Sequence, residues 1–191
     1  GYGGRFKHWL YTDPPKPYNS YGNGAAMRVS PVGFAFNSLH AVLDAAERTA
    51  APTHNHPEGI KGAQATALAV YLARTGTGKE ALRTKISETF GYDLNRSCDD
   101  IRPVYSFDVS CQGTVPQAII AFLDSTDFES AIRLAISLGG DADTLACITG
   151  AIAQAYYGEI PAWIKDEAGR RLDGRLQKIL QKFNETYPAA G

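Results

Sequence analysis

From Thr144 through Gly158 the chain carries no charged side chain, and two aspartates, Asp141 and Asp143, stand directly in front of that run. A helix that is polar on no side belongs in an interior, so the rest of the chain has to pack around this segment. Taking an ionised carboxylate out of water is costly unless it is paired, hydrogen-bonded or bound to a cation. Two of them opening an apolar helix therefore need an explanation. The apolar stretch from Leu145 to Tyr157 is shorter than the roughly 20 residues that span a bilayer and is interrupted by Thr149, Gly150 and Gln154. It reads as a buried helix, and no membrane partner is expected.

The remaining periodicity is helical too. Residues 1–24 are rich in Gly, Pro, Tyr and Asn, which is turn chemistry apart from a short helix over Arg5 to Leu10. Asn37-Ser38 caps a helix from Leu39 to Thr49, striped by Leu39, Val42, Leu43 and Ala46. Pro57-Glu58 opens a longer one in which Ile60, Ala63, Gln64, Ala67, Leu68, Tyr71 and Leu72 recur at the spacing of one buried face. Leu82, Ile86 and Phe90 mark a helix ended by Gly91, and residues 91–114 show no such stripe. Pro116 is expected in the first turn of a helix with Ala118, Ile119, Phe122 and Leu123. Phe128, Ile132, Ala135 and Ile136 define the next, closed by Gly139-Gly140, and a final amphipathic helix covers Arg171 to Phe183 through Leu172, Leu176, Ile179 and Leu180. No segment alternates as a strand would, and no repeat is present, so the expected fold is all-α: a compact multi-helix array in a single domain over residues 1–191.

Hydrophobic residues make up 44% of the chain and charged residues 20%, enough to build a core and too apolar for disorder. A formal net charge of -1 with scattered Lys and Arg offers no basic face, so nucleic acid is not an expected partner. Cys98, Cys111 and Cys147 are odd in number, with no C-x-x-C pair and no signal-peptide-like start, which favours reduced thiols in a cytoplasm.

Asp141-Ala142-Asp143-Thr144 sits where side chains two apart converge at a helix start, and two carboxylates with a hydroxyl are hard oxygen donors suited to Mg²⁺, Ca²⁺ or Mn²⁺. The same residues also suit an ordinary N-cap and a first-turn acid favoured by the helix dipole. In Asn19-Ser20-Tyr21-Gly22-Asn23-Gly24 the glycines flanking Asn23 let successive backbone amides face one concavity, as a phosphate nest or as a plain tight turn. In Thr53-His54-Asn55-His56-Pro57-Glu58 the histidines lack a further Cys or His at zinc spacing, since His8 and His40 are isolated. One histidine is expected to face a ligand and the other to shape the helix start. Asp99-Asp100 reads as solvated surface.

Four ordered segments, NSYGNGAAMRVSP, THNHPEGIKGA, SCQGTVPQAIIAFL and SLGGDADTLACITGAIAQAYYG, resemble the ADP-ribosylglycohydrolase family over roughly residues 19–158. The resemblance implies an all-α enzyme that cleaves the glycosidic bond at C1″ of ADP-ribose with a dinuclear Mg²⁺ or Mn²⁺ site. It implies Asp141, Asp143 and Thr144 as metal ligands, Asp141 and Asp143 as the catalytic carboxylates, Ser20, Tyr21, Gly22, Asn23 and Gly24 as the diphosphate cradle, and His54 as part of the ADP-ribose cleft. Its partners would be ADP-ribose or an ADP-ribosylated protein. Usual members also carry, ahead of the region matching Gly1, an acidic residue and a Thr-Asp-Asp triplet that complete the metal site. This chain has none: its nearest approach is Tyr11-Thr12-Asp13-Pro14. With no initial Met and a GYGG start, it reads as an N-terminally truncated member, expected to self-associate through uncovered apolar surface, or else as a relic that binds ADP-ribose without turnover.

Overall fold

The structure is a computed structural model and describes residues 3–188. Those residues form helices joined by turns, with no strand among them; a lone antiparallel bridge pairs Gly22 with Ser110. The helices are α1 (Gly4–Leu10), α2 (Gly24–Met27), α3 (Ser30–Ala35), α4 (Leu39–Ala50), α5 (Pro57–Arg74), α6 (Lys79–Phe90), α7 (Cys98–Ile101), α8 (Cys111–Asp124), α9 (Phe128–Ser137), α10 (Ala142–Tyr157), α11 (Ala162–Arg170) and α12 (Gly174–Thr186). The all-α expectation is met.

The centre is a trio of α5, α8 and α10, with α4 and α3 packed on α5 and α9 packed on α10 and α8. Helix α5 is more deeply placed than a one-face stripe predicts. Ala65, Thr66, Ala69 and Val70 are buried along with Ala63, Ala67 and Leu68, whereas Ile60, Gln64, Tyr71 and Leu72 are only partly covered. Small side chains permit this, because neighbours can approach the helix backbone from several directions. A Cβ on Gly62 would stand 2.5 Å from Cys111 Sγ, and one on Gly33 of α3 would stand 2.6 Å from Val70 Cβ. Helix α10 buries Leu145, Ile148, Ile152 and Ala153 against this centre, and Thr149 Oγ1 donates to the Ala118 carbonyl of α8 at 2.8 Å. Its other face, with Ala146, Ala151 and the exposed Cys147, is only partly covered. The absence of charge is therefore not matched by burial all round.

Three boundaries differ from the sequence expectation. Helix α8 starts at Cys111, because the Ser110 hydroxyl accepts from Gly113 N at 3.1 Å and caps it; Pro116 thus lies inside the helix, where its missing N–H leaves the carbonyl of exposed Gln112 to solvent. Within residues 91–114 the short α7 forms on a capping box of Ser97 and Asp100, while Cys98 and Ile101 are buried. Asp99 and Asp100 are exposed, as the polar setting predicts. The final amphipathic helix, expected from Arg171, is α12 and starts at Gly174, since Asp173 accepts from Arg175 N and Leu176 N; the preceding α11 was not expected from the sequence.

Candidate active site

Asp141 occupies the residue before α10 without capping it: its side chain bonds no amide of the helix. The plain N-cap reading therefore fails. Its Oδ2 instead accepts from Asn23 Nδ2 at 2.7 Å, a bond that reaches back 118 residues to the glycine loop. The first-turn amide of Thr144 is taken by Asp143 Oδ1 at 2.9 Å. Asp143 is exposed and Thr144 is buried, with Thr144 Oγ1 3.6 Å from Met27 Sδ. The positive φ values of Gly139 and Gly140, 73° and 62°, turn the chain from α9 into this acidic stretch.

The glycine loop lies against the segment that precedes α8. Asn23 N donates to the Val109 carbonyl and Cys111 N to the Tyr21 carbonyl, both at 2.8 Å. Gly22 N donates to Ser20 Oγ at 3.2 Å. Two of the successive amides expected to form an open nest are thus engaged within the protein. Asn23 is 7% exposed, and its second amide hydrogen meets Thr114 Oγ1 at 3.0 Å. Tyr21 stands half exposed at the rim, its ring 5.3 Å from that of His56.

His54 lies beneath the loop. Its Nε2 would be 3.5 Å from a Cβ at Gly22 and 3.7 Å from one at Gly24, ordinary contact distances that place the imidazole directly against both glycines. Its Nδ1 is 2.7 Å from Thr53 Oγ1 and 3.5 Å from Arg28 Nη2, which itself donates to Thr53 Oγ1 at 2.9 Å. Desolvation first, then the positive charges of Arg28 and Arg5, push His54 down to about 4. The ring is neutral at neutral pH, and the donors around Nδ1 assign its proton to Nε2, facing the loop. His56 has the other role expected: it caps α5, its Nδ1 accepting from Glu58 N at 3.1 Å.

Reading by motif passed over Tyr105, Asp108 and Thr114. Asp108 Oδ1 accepts from Ser110 N at 2.7 Å, and its Oδ2 fills the space over Gly113, where a Cβ would be only 1.9 Å away. Thr114 is fully buried and donates to the Asp108 carbonyl at 3.2 Å. The Tyr105 ring covers Gly140, whose Cβ would stand 2.7 Å from Tyr105 Cε1. Burial raises the Tyr105 phenol above its ordinary value; the Thr114 hydroxyl opposes this, and Asp108 and Asp141 add to it. The only local signals for this trio were the Gly139-Gly140 pair and the Ser110 cap.

Asp141, Asn23, Thr114 and Asp108 therefore form one chain of contacts, with Ser20, Gly22, Gly24 and His54 on its far side. Among the described residues no group of three or more His, Cys, Asp or Glu side chains is placed to hold a metal ion. The acidic turn presents two carboxylates and one hydroxyl. A cavity of about 640 Å³, lined by Arg5, His8, Trp9, Lys16 and Tyr18 among others, adjoins this region through Tyr18, whose ring is 6.3 Å from that of His54. No helix among the described residues is long and apolar enough to cross a membrane.

Comparison with known proteins identifies the family. The family profile described as ADP-ribosylglycohydrolase matches residues 3–189. The ADP-ribosylhydrolase ARH3 of Homo sapiens is 31% identical over 217 residues, covering 85% of this chain and 59% of the human protein. The ADP-ribosylarginine hydrolase Tri1 of Pseudomonas putida is 30% identical over 181 residues, covering 87% and 47%. A solved structure described as an ADP-ribosylglycohydrolase-related protein complex superposes with a TM-score of 0.70 at 29% identity, covering 94% of this chain and 64% of that one. The chain thus spans about half the length of these curated relatives. From the acidic turn, the glycine loop that it contacts and the profile match together, the chain belongs to the ADP-ribosylglycohydrolase family.

Proposed function

We propose that this chain carries the ADP-ribose-binding half of a site that hydrolyses the glycosidic bond between ADP-ribose and an acceptor, assisted by Mg²⁺ or Mn²⁺. The observation that supports it most is the 2.7 Å bond between Asn23 and Asp141, which joins the glycine loop to the acidic turn. A diphosphate along the loop would then leave its distal ribose beside the carboxylates.

The donors present fit one side of a site for a hard divalent cation. Asp141 is not used as a cap, Asp143 is exposed, and Thr144 adds a hydroxyl, so Asp141, Asp143 and Thr144 would hold the ion. When bound, such an ion would offset the mutual repulsion of the paired carboxylates and supply Lewis acidity toward ribose oxygens. The chain's own groups do the rest. The loop from Ser20 to Gly24 sets the depth of the diphosphate, neutral His54 lines the cleft without adding charge, and Tyr21 offers a half-exposed aromatic face. Asp141 and Asp143 place negative charge where positive charge develops at C1″ as the bond to the acceptor breaks. Water then adds its oxygen to C1″, and the acceptor leaves with a proton.

In the intact protein, Asp143→Ala should abolish Mg²⁺-dependent release of ADP-ribose from a modified arginine or serine peptide. Undiminished turnover would remove Asp143 from the site. The smallness of the carboxylate set supports a second reading, a module that binds ADP-ribose without cleaving it. Calorimetric titration with ADP-ribose separates the two: tight binding that ignores Mg²⁺, without hydrolysis, selects the module. The three free thiols suit a cytoplasmic setting, and ADP-ribose or an ADP-ribosylated protein is the partner this chemistry takes. Self-association through exposed apolar residues of the last helices completes the proposal.

A further inference from the structure

We infer that Asn23 is a positioning residue for Asp141 and gives no donor to the diphosphate, a role that rests on the function proposed above. The argument is a count of hydrogens. A primary amide has two N–H donors, and both of Asn23's are committed, one to Asp141 Oδ2 at 2.7 Å and one to Thr114 Oγ1 at 3.0 Å. Its backbone N–H is committed as well, to Val109 O at 2.8 Å. What remains is acceptor oxygen, which an anionic diphosphate repels. The Asn23 carbonyl is held in turn by the amides of Ala26 and Met27 at 2.9 and 3.1 Å, and the residue is 7% exposed. Neither backbone nor side chain is left to adjust.

The partners explain why an amide stands here. Thr114 is fully buried and gives its own proton to the Asp108 carbonyl, so its oxygen lone pairs face Asn23 and the amide is fixed in orientation. That orientation aims the other N–H at Asp141. Without it, Asp141 has a competing use a few ångströms away, since residues at this point of a helix ordinarily turn their carboxylates onto first-turn amides. Asn23 thus holds Asp141 by its Oδ2 and out of the cap. Partners of this kind, one bond behind a ligand, typically alter metal affinity by roughly 10- to 100-fold when removed.

The experiment uses the intact protein and four variants: Asn23→Ala, Asn23→Asp, Thr114→Val and Thr114→Ser. In crystals grown in EDTA, Asn23→Ala should show the Asp141 carboxylate turned onto the first-turn amides of α10. Mn²⁺ affinity by electron paramagnetic resonance should fall about tenfold or more for Asn23→Ala and Asn23→Asp, by less for Thr114→Val, and be restored in Thr114→Ser. ADP-ribose affinity in EDTA should stay within about twofold of wild type for Asn23→Ala and Thr114→Val. Turnover should lose kcat and keep KM. An Asp141 carboxylate unmoved in Asn23→Ala, or a tenfold loss of ADP-ribose affinity in EDTA, overturns the inference and returns Asn23 to the diphosphate. Should the Asn23 variants not fold, the Val and Ser pair at Thr114 decides it by the same Mn²⁺ measurement. A wild-type protein that binds no Mn²⁺ would sink the proposed function, while the Asp141 position in the variant crystals still decides the role of Asn23.

Discussion

His54 is the residue whose surroundings most change its chemistry. Its folded value lies near 4, against about 6.5 for an unfolded histidine. Above pH 6.5 both states are neutral there, and His54 adds nothing to the pH dependence. As pH falls from 6.5 toward 4 the unfolded chain takes up a proton that the folded site refuses, so stability declines across that window and the decline from this group ends below 4. Urea unfolding at pH 7.5, 5.5 and 4.5 should therefore show a shallower loss for His54→Gln than for wild type, whatever the variant's stability at pH 7.5. Equal slopes would mean that His54 is protonated in the fold. At this scale the sequence was a good guide to which residues come together: Ser20, Gly22, Gly24, His54 and Asp141 all meet around one loop. It was a poor guide to what each does. Asn23 reads as part of a phosphate nest, yet its donors point into the protein, because the acceptors that claim them, Val109 O, Thr114 Oγ1 and Asp141 Oδ2, lie 86 or more residues away.

Among the elements, α5 shows how closeness is achieved without large side chains. Gly62 faces Cys111, which is fully buried and whose Sγ lies 3.2 Å from the Gly22 carbonyl. Gly62→Ala gains up to about 1 kcal/mol of helix propensity but drives a methyl into Cys111 Sγ and Cβ, at 2.5 and 2.7 Å. Overpacking of this kind costs about 1–3 kcal/mol, so the expected net change is a loss of up to about 2 kcal/mol. Adding Cys111→Ala removes the Sγ clash but keeps the Cβ one, so it should recover only part of it. A single variant as stable as wild type in urea melts would show that the α5–α8 contact has slack. The sequence predicted α5 itself, with its Pro57 start, but assigned it one buried face; an alanine-rich helix gives little contrast between faces, so the period is weak. It likewise predicted α8 but not its first turn, since a proline is commonest at a helix start and the Ser110 cap is unremarkable by itself. Asp173 is a cap signal of the same ordinary kind, which moves the start of α12 to Gly174, and α11 went unassigned because it buries no residue and so has no apolar stripe to show.

For the molecule as a whole, the last two helices leave apolar residues uncovered. Trp163, Leu176, Ile179 and Leu180 are 60%, 47%, 55% and 49% exposed, whereas Ile164 of α11 packs on the core. A row of that kind on α12 favours association. Sedimentation velocity at increasing concentration should reveal species larger than a monomer, and Leu176→Lys with Leu180→Glu should return the chain to monomer; a wild-type chain that stays monomeric at all concentrations would refute the proposal. The sequence by itself determined that this chain is helical and where most of its helices lie, because periodicity, caps and glycine turns are written within a few residues of one another. The tertiary structure alone decided what the chemistry-bearing groups are bonded to. Asp141 is no cap, Asn23 is no open nest, and Tyr105, Asp108 and Thr114 join the site, because hydrogen bonds between segments far apart in the chain depend on how α2, α8 and α10 pack, which no local pattern records.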